Sequence, residues 1–426
     1  MIENWIHYKI DDICDISSSK RIYRDDYVES GVPFYRGKEI ILKAKNEKLK
    51  ETLFISEEKY QKIRESYDIP IPGDILLTSV GTLGVPYFIK DDERFYFKDG
   101  NLTWFRNYKE IVNRKYFYFW LLSPKMKNQI NAARIGVAQP ALTIVSLKNF
   151  EINLPSLSTQ KNIASILSAY DTLIENNTRR IQILEEMAQR IYKEWFVDFK
   201  YPGHENDKFV DSELGMIPKG WSVVQLGNTC TRIQAGGTPL RSNKQFWMDG
   251  SIRWYKTKEL QDNFLFYSEE KITEQGLKET SAKLFDAGTI LMAIYGSPTV
   301  GRLGVLTEPS SCNQAAIGIV PDTNKISQSY LFYSLFNLRE YFNSIAMGAA
   351  QQNISKEKVV KAKIVLPSFD IINQFDDVTS TIMSLLRNFY SKNLNIRETR
   401  DLLLPKLISG KIDISDLDID TSILNE

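Results

Sequence analysis

Gly136-Val137-Ala138-Gln139-Pro140-Ala141-Leu142-Thr143 returns in altered form as Gly348-Ala349-Ala350-Gln351-Gln352-Asn353-Ile354-Ser355. Each block runs on to an Ile-x-Leu-Pro-Ser element, and the endings Leu154-Pro155-Ser156 and Leu366-Pro367-Ser368 stand 212 residues apart. Outward from this block the matches continue in order. Trp5 pairs with Trp221, Ile10 with Leu226 and Cys14 with Cys230. Phe34-Tyr35-Arg36-Gly37-Lys38-Glu39-Ile40 pairs with Trp254-Tyr255-Lys256-Thr257-Lys258-Glu259-Leu260. Gly73-Asp74-Ile75-Leu76 pairs with Gly288-Thr289-Ile290-Leu291, and Leu83-Gly84 with Leu303-Gly304. The offset drifts between 212 and 220 only in the segments between anchors, as loops of unequal length require. One structural plan is written twice, over residues 1–200 and 217–411.

Each copy has two parts. The first holds short β-rich runs (Asp74–Thr78, Gly84–Ile89, Phe95–Phe97, Thr289–Ile294) broken by Gly and Pro. One helix-like stretch lies inside each, at Lys115–Ile130 and Gln328–Ile345. The second part is a long helix entered through Leu-Pro-Ser, with Ser158 or Thr159 placed to cap the first one. Ile163, Leu167, Tyr170, Ile174, Asn177, Ile181, Leu184, Ala188, Ile191 and Trp195 alternate spacings of four and three. That is a coiled-coil seam with one polar member, Asn177, suited to fixing register. Phe375, Val378, Ile382, Leu385, Phe389, Lys392, Ile396, Thr399 and Leu403 offer the partner stripe. A helix of about 36 residues reaches roughly 50 Å. Neither helix buries its stripe alone, so the pattern predicts that they pair, antiparallel if two heads stand at opposite ends.

Composition narrows the function. Three scattered cysteines (Cys14, Cys230, Cys312) make neither a disulfide framework nor a zinc ribbon, and His7 and His204 are the only histidines. No apolar run approaches a membrane span and no signal peptide is recognisable, so the expected location is cytoplasmic. Net charge is +1, but the tail beyond Lys411 holds Asp413, Asp416, Asp418, Asp420 and Glu426, leaving +6 on residues 1–411. Local basic clusters run from Arg36 to Lys50 and over Lys356, Lys358, Lys361 and Lys363. Phosphate attraction depends on such local fields, although a charge run is more often just a solvated face. Gly31 to Glu39 imitates a phosphate loop, but five residues separate Gly31 from Gly37, and Glu39 stands where Ser or Thr should hold magnesium. No Asn-Pro-Pro-aromatic motif of an adenine methyltransferase is present.

Between the copies, Trp195-Phe196-Val197-Asp198-Phe199, Ser212-Glu213-Leu214-Gly215 and Ile217-Pro218-Lys219-Gly220-Trp221 resemble the central region of type I restriction-modification specificity (S) subunits. Gln160-Lys161-Asn162-Ile163, Leu404-Pro405-Lys406-Leu407 and Gly410-Lys411-Ile412 resemble that family too, whereas the second helix start (Ile371 to Phe375) is looser. The resemblance implies an α+β chain: two pseudo-repeated α/β target recognition domains separated by a pair of long antiparallel coiled-coil helices. Its parts would be recognition domain 1 (1–155), central helix (156–200), linker (201–218), recognition domain 2 (219–367), distal helix (368–411) and acidic tail (412–426). It also implies a non-catalytic subunit without cofactor, reading a bipartite double-stranded DNA target, one domain per half-site. Partners would be two modification (methyltransferase) subunits and restriction (translocase/nuclease) subunits. The alternatives are a coiled-coil protein scaffold, a self-contained methyltransferase or nuclease, and the specificity subunit of a fused restriction-methylation enzyme.

A DNA reader needs cations or hydroxyls for phosphates and planar donors for base edges. The expected contacts are Ser18, Ser19, Lys20, Arg21, Arg36, Lys38 and Thr82 in the first copy. In the second they are Thr238, Arg241, Lys256, Lys258, Tyr295 and Ser297, with Gly236-Gly237-Thr238-Pro239 read as a turn or a loop approached by DNA. Gln139 and Gln351, at one place in both copies, are expected to be structural. The expected helix-pairing residues are Ile163, Leu167, Tyr170, Ile174, Ile181, Leu184, Ile382, Leu385, Phe389 and Ile396. The tail is expected to be a solvating end.

Overall fold

The structure, a computed structural model, describes residues 5–47, 49, 51–134, 140–296, 299–346, 353–414 and 417. Gly136, Gln139, Gly348 and Gln351 lie outside the described residues, as do Ser297 and the tail acids Asp416, Asp418, Asp420 and Glu426. The chain divides into two compact units, Met1–Asn176 with Asn395–Glu426, and Asn177–Leu394.

In the first unit a four-stranded sheet runs in the order Asp15–Ser17, Leu102–Arg106, Ile75–Thr78, Pro86–Phe88, every pair antiparallel. Alternation sends Ile75, Leu77 and Phe105 to one face, against Phe117, Trp120 and Leu121 of the helix Arg114–Leu121. Leu76 and Trp104 go to the other face, beneath Tyr35, Phe95 and Phe97. There a second sheet holds Val32–Tyr35 beside Tyr96–Phe97 in parallel. A third pairing, Ile6–Lys9 with Glu151–Leu154, closes the head on itself.

The second unit repeats this plan. Cys230–Ala235, Ala316–Pro321, Ile290–Ala293 and Leu303–Leu306 take the same order, and Asn263–Leu265 is added in parallel at the edge. Ile252–Tyr255 pairs in parallel with Ser311–Cys312, and Ser222–Gln225 closes against Lys363–Leu366. Even the turns agree: Gly73 and Gly288, matched in the repeat, sit at φ +86° and +88°, which a side chain resists. Thr143 and Ser355, also matched, each cap a short helix through the side-chain oxygen. Between the copies lies a hairpin, Phe209–Ser212 with Gly215–Pro218.

The helix-like stretches expected at Lys115–Ile130 and Gln328–Ile345 are each two helices. Arg114–Leu121 gives way to Pro124–Ala133 because Ser123 caps a new start and Pro124 takes the first turn, where its missing N–H costs nothing. Gln328–Asn337 breaks at Leu338 before Arg339–Ser344.

The long helices are Leu157–Phe196 and Phe369–Ile408. The first is capped by neither Ser158 nor Thr159: Ser156 Oγ accepts from the Thr159 N–H at 3.1 Å. In the first unit Ile163, Ala164 and Leu167 share a core with Leu404, Leu407 and Ile408, and Arg400 donates to Asp171 at 2.5 Å. In the second, Asn177 donates to Asn393 at 2.9 Å, Tyr390 to Glu185 at 2.5 Å, and the Trp195 ring meets Phe375. Rising numbers on one helix meet falling numbers on the other, so the pair is antiparallel.

Ile163, Leu167, Ile174, Ile181 and Ile382 are buried, while Tyr170, Leu184, Phe389 and Ile396 are half-buried. The second stripe needs correcting. Val378 and Leu385 are 44% and 39% exposed, and Lys392 and Thr399 are exposed. Thr379, Leu386 and Asn393 are buried instead. Polar Thr379 and Asn393 occupy inward positions, so a purely apolar template slips by one residue. The start of the tail also differs from a solvating end: Ile412 and Ile414 join the first unit's core. No helix among the described residues is long and apolar enough to cross a membrane.

Candidate nucleic-acid interface

The segment after the first sheet strand is folded across the ends of the parallel strand pair in both heads. In the first, Ser19 Oγ donates to Phe97 O at 2.7 Å and the Lys20 N–H to Tyr96 Oη at 2.8 Å. Ser18 Oγ takes the Gly100 N–H, and Tyr67 donates to Ser18 O. Arg36 follows the strand Val32–Tyr35, which meets Phe97 through Tyr35. Ser18, Ser19, Lys20, Arg21, Arg36 and Lys38 are thus gathered around one strand end. In the second head the Gly237 N–H bonds Cys312 O at 2.9 Å, Thr238 donates to Gln314, and Lys256 follows Ile252–Tyr255.

Most of these cations already have carboxylates. Arg21 bonds Asp99 at 2.8 Å, which raises its pKa. Arg36 bonds Glu39 at 2.7 Å. Burial pushes the Glu39 carboxyl up, but the Arg36 guanidinium and backbone N–H outweigh it and hold the group below its ordinary value. Lys256 contacts Glu270 at 2.7 Å and Glu269 at 3.0 Å, and Lys258 contacts Glu269 at 2.6 Å. Arg241 grips Glu270 with both terminal nitrogens. Arg241 first, then Lys256, holds the Glu270 carboxyl down at about 2. Lys20, Lys38 and Thr82 are exposed and make no ion pair among the described residues.

Arg36 and Lys256 are equivalent in atomic detail. Each backbone N–H donates to the carboxylate three residues on, Glu39 at 2.9 Å and Glu259 at 2.7 Å. That carboxylate occupies the N–H a phosphate would need, so Gly31–Glu39 is no nucleotide cradle. Gly236 and Gly237 are explained inside the protein: a side chain on either would strike backbone atoms of Cys312 and Asn313, or of Ser281. Thr82 and Tyr295 lie in loops tied to the residues just before the short helices Ile144–Lys148 and Lys356–Val360. Gly81 N–H bonds Pro140 O at 3.0 Å, and Tyr295 bridges Asn353. In the basic runs Lys43 pairs with Glu93, Lys358 donates to Ile345 O, and Lys363 pairs with Glu213.

The sequence reading missed the acids Asp99, Glu269 and Glu270 and the indoles of Trp247 and Trp254, whose ring centres lie 3.8 and 4.9 Å from the Arg241 guanidinium carbon. Two tryptophans within eight residues of each other, just beyond an exposed arginine, were the available signal. Among the described residues no group of His, Cys, Asp and Glu is placed to hold a metal ion.

Two diverged copies of one head, each with a cation-bearing loop at the same strand end and each built onto both long helices, define a two-domain recognition protein. The sequence matches the family described as the type I restriction modification DNA specificity domain twice, over residues 2–186 and 218–401. The chain belongs to that family, as a specificity subunit with two recognition domains. It is 26% identical over 367 residues to the MjaIX specificity subunit of Methanocaldococcus jannaschii, covering 81% of this chain and 79% of that one. It is 25% identical over 403 residues to the HindI specificity subunit of Haemophilus influenzae, covering 80% and 86%. The crystal structure of a type I restriction-modification S subunit from M. genitalium superposes with a TM-score of 0.59 at 17% identity, covering 95% and 96% of the two chains, and so shares the fold.

Proposed function

We propose that this subunit reads a split double-stranded DNA target, residues 1–155 taking one half-site and residues 219–367 the other. The helices at 156–200 and 368–411 set the unspecified gap and dock two modification subunits, and restriction subunits join the same cytoplasmic complex. The chain contributes recognition and no catalytic step; methyl transfer and cleavage belong to its partners. One observation carries this reading: the same strand-end loop recurs in both heads with different side chains, as two readers of unlike half-sites require. The exposed cations Lys20 and Lys38 are suited to phosphates. Arg21, Arg36, Lys256 and Lys258 would exchange a carboxylate for a phosphate, and the released counterions make binding steeply salt-dependent.

The test is a gel shift of the chain with its modification subunits on random and target DNA, with a methylation assay of the chain alone beside it. The reading expects target-dependent retardation by the complex and no methyl transfer by the isolated chain. A complex that binds no DNA would leave a protein scaffold, and methylation by the chain alone would make it an enzyme.

A further inference from the structure

We propose that Arg241 is the residue with which the second recognition domain reads a guanine of its half-site. The inference rests on the DNA-reading function proposed above and assigns it to one side chain.

Three features together separate Arg241 from the other cations of the two strand-end loops. The first is preorganisation of its loop. Trp254 Nε1–H donates to Gly237 O at 2.9 Å and Trp247 Nε1–H to Leu240 O at 3.2 Å, so two indoles pin the backbone on both sides of Pro239. The same two rings, edge to face at 5.1 Å, form a corner that holds the guanidinium carbon, 3.8 Å over the Trp247 ring and 4.9 Å from the centre of Trp254. A flexible side chain is thereby held in one plane while half of its surface stays open to solvent.

The second is what the fork holds. Glu270 presents its two carboxylate oxygens to the two terminal nitrogens of Arg241. Guanine offers the same pattern in the major groove, two coplanar acceptors at O6 and N7, and arginine is the side chain that bridges them. Glu270 is the resting stand-in for that edge. Lys256 also holds Glu270, at 2.7 Å, so the carboxylate is not stranded when the fork turns to DNA.

The third is contrast with the first copy. Arg21 is tied to Asp99 with no aromatic ring beneath it among the described residues, and the ring pair Tyr27 and Phe34 carries no cation. Simple charge for phosphates is available from Lys258. Planarity and stacking are what a base edge demands in addition.

The experiment uses the complex reconstituted with its modification subunits, methylating a randomised DNA library that is then sequenced. Wild type, Arg241→Lys and Arg241→Ala are compared. Lysine keeps the charge and loses the fork. Both variants are expected to lose discrimination at one G·C position by roughly 5- to 150-fold. The other half-site and the gap should stay unchanged, which also shows that the complex has assembled. Retention of the full motif by Arg241→Lys, or a uniform fall at every position, makes the contact one of charge alone and overturns the inference. So does a wild-type motif without a G·C pair in the affected half, or failure of both variants to assemble. A wild-type complex that modifies no split motif overturns the reading of function itself.

Discussion

Gln160 joins the first head to the start of the first long helix, and its replacement by leucine measures that joint. The side chain is 1% exposed and fully engaged. Its oxygen accepts the N–H of Asn113, the cap of the helix Arg114–Leu121, at 2.8 Å. Its nitrogen donates to Ile111 O at 2.9 Å and Pro155 O at 3.0 Å. Leucine keeps much of the volume and strands one donor and two acceptors. At about 1 kcal/mol for each lost bond, the cost is about 3 kcal/mol. For a cooperative unit of roughly 200 residues this lowers the midpoint by about 6–12 °C. Scanning calorimetry of the purified chain reads the shift directly. A fall of less than about 2 °C would refute the reasoning, because it would mean that water or a rearranged backbone replaces all three bonds.

Other perturbations follow from the same contacts. Asn177 and Asn393 form a buried polar layer that also reaches Thr178; Asn393→Leu alone should cost about 1–3 kcal/mol by stranding the Asn177 amide. The double change to leucine should recover much of that in a denaturant titration, with looser helix register as the price. Glu270 titrates at about 2 against an ordinary 4.5, so its contribution is full above 4.5 and is lost as pH falls from there toward 2. Glu270→Gln should remove that part of the acid destabilisation of the second unit, and an unchanged melting-temperature profile between pH 5 and 2 would count against the Arg241–Lys256 clamp. Gly236→Ala should destabilise the second unit by about 1–3 kcal/mol, since the added methyl meets backbone rather than a movable side chain; an unchanged denaturation midpoint would show that the strand end yields.

Much of the architecture was legible because it is periodic or repeated. The stripe from Ile163 to Trp195 falls on buried or half-buried positions throughout, with Asn177 its one polar member. The second stripe does not, because Thr379 and Asn393 face inward and exposed leucine and valine imitate the seam. The breaks at Ser123 and Leu338 were hidden for another reason: apolar residues continue on both sides, Leu121 to Met126 and Phe336 to Phe342, and only Ser123 and Pro124 announce a new helix at the first. At the site, the cations could be named but not their state. Asp99 lies 78 residues from Arg21 and Glu270 lies 29 from Arg241, so folding alone reveals that each guanidinium already has a carboxylate partner.

The central claim is that two independent readers share one chain, and a domain exchange addresses it most directly. Residues 219–367 would be replaced by the matching segment of another specificity subunit, and the methylated motif of the assembled complex sequenced before and after. The account predicts a split motif in which one half changes while the other half and the gap between them stay as they were. A continuous motif, or one in which both halves change together, would contradict it.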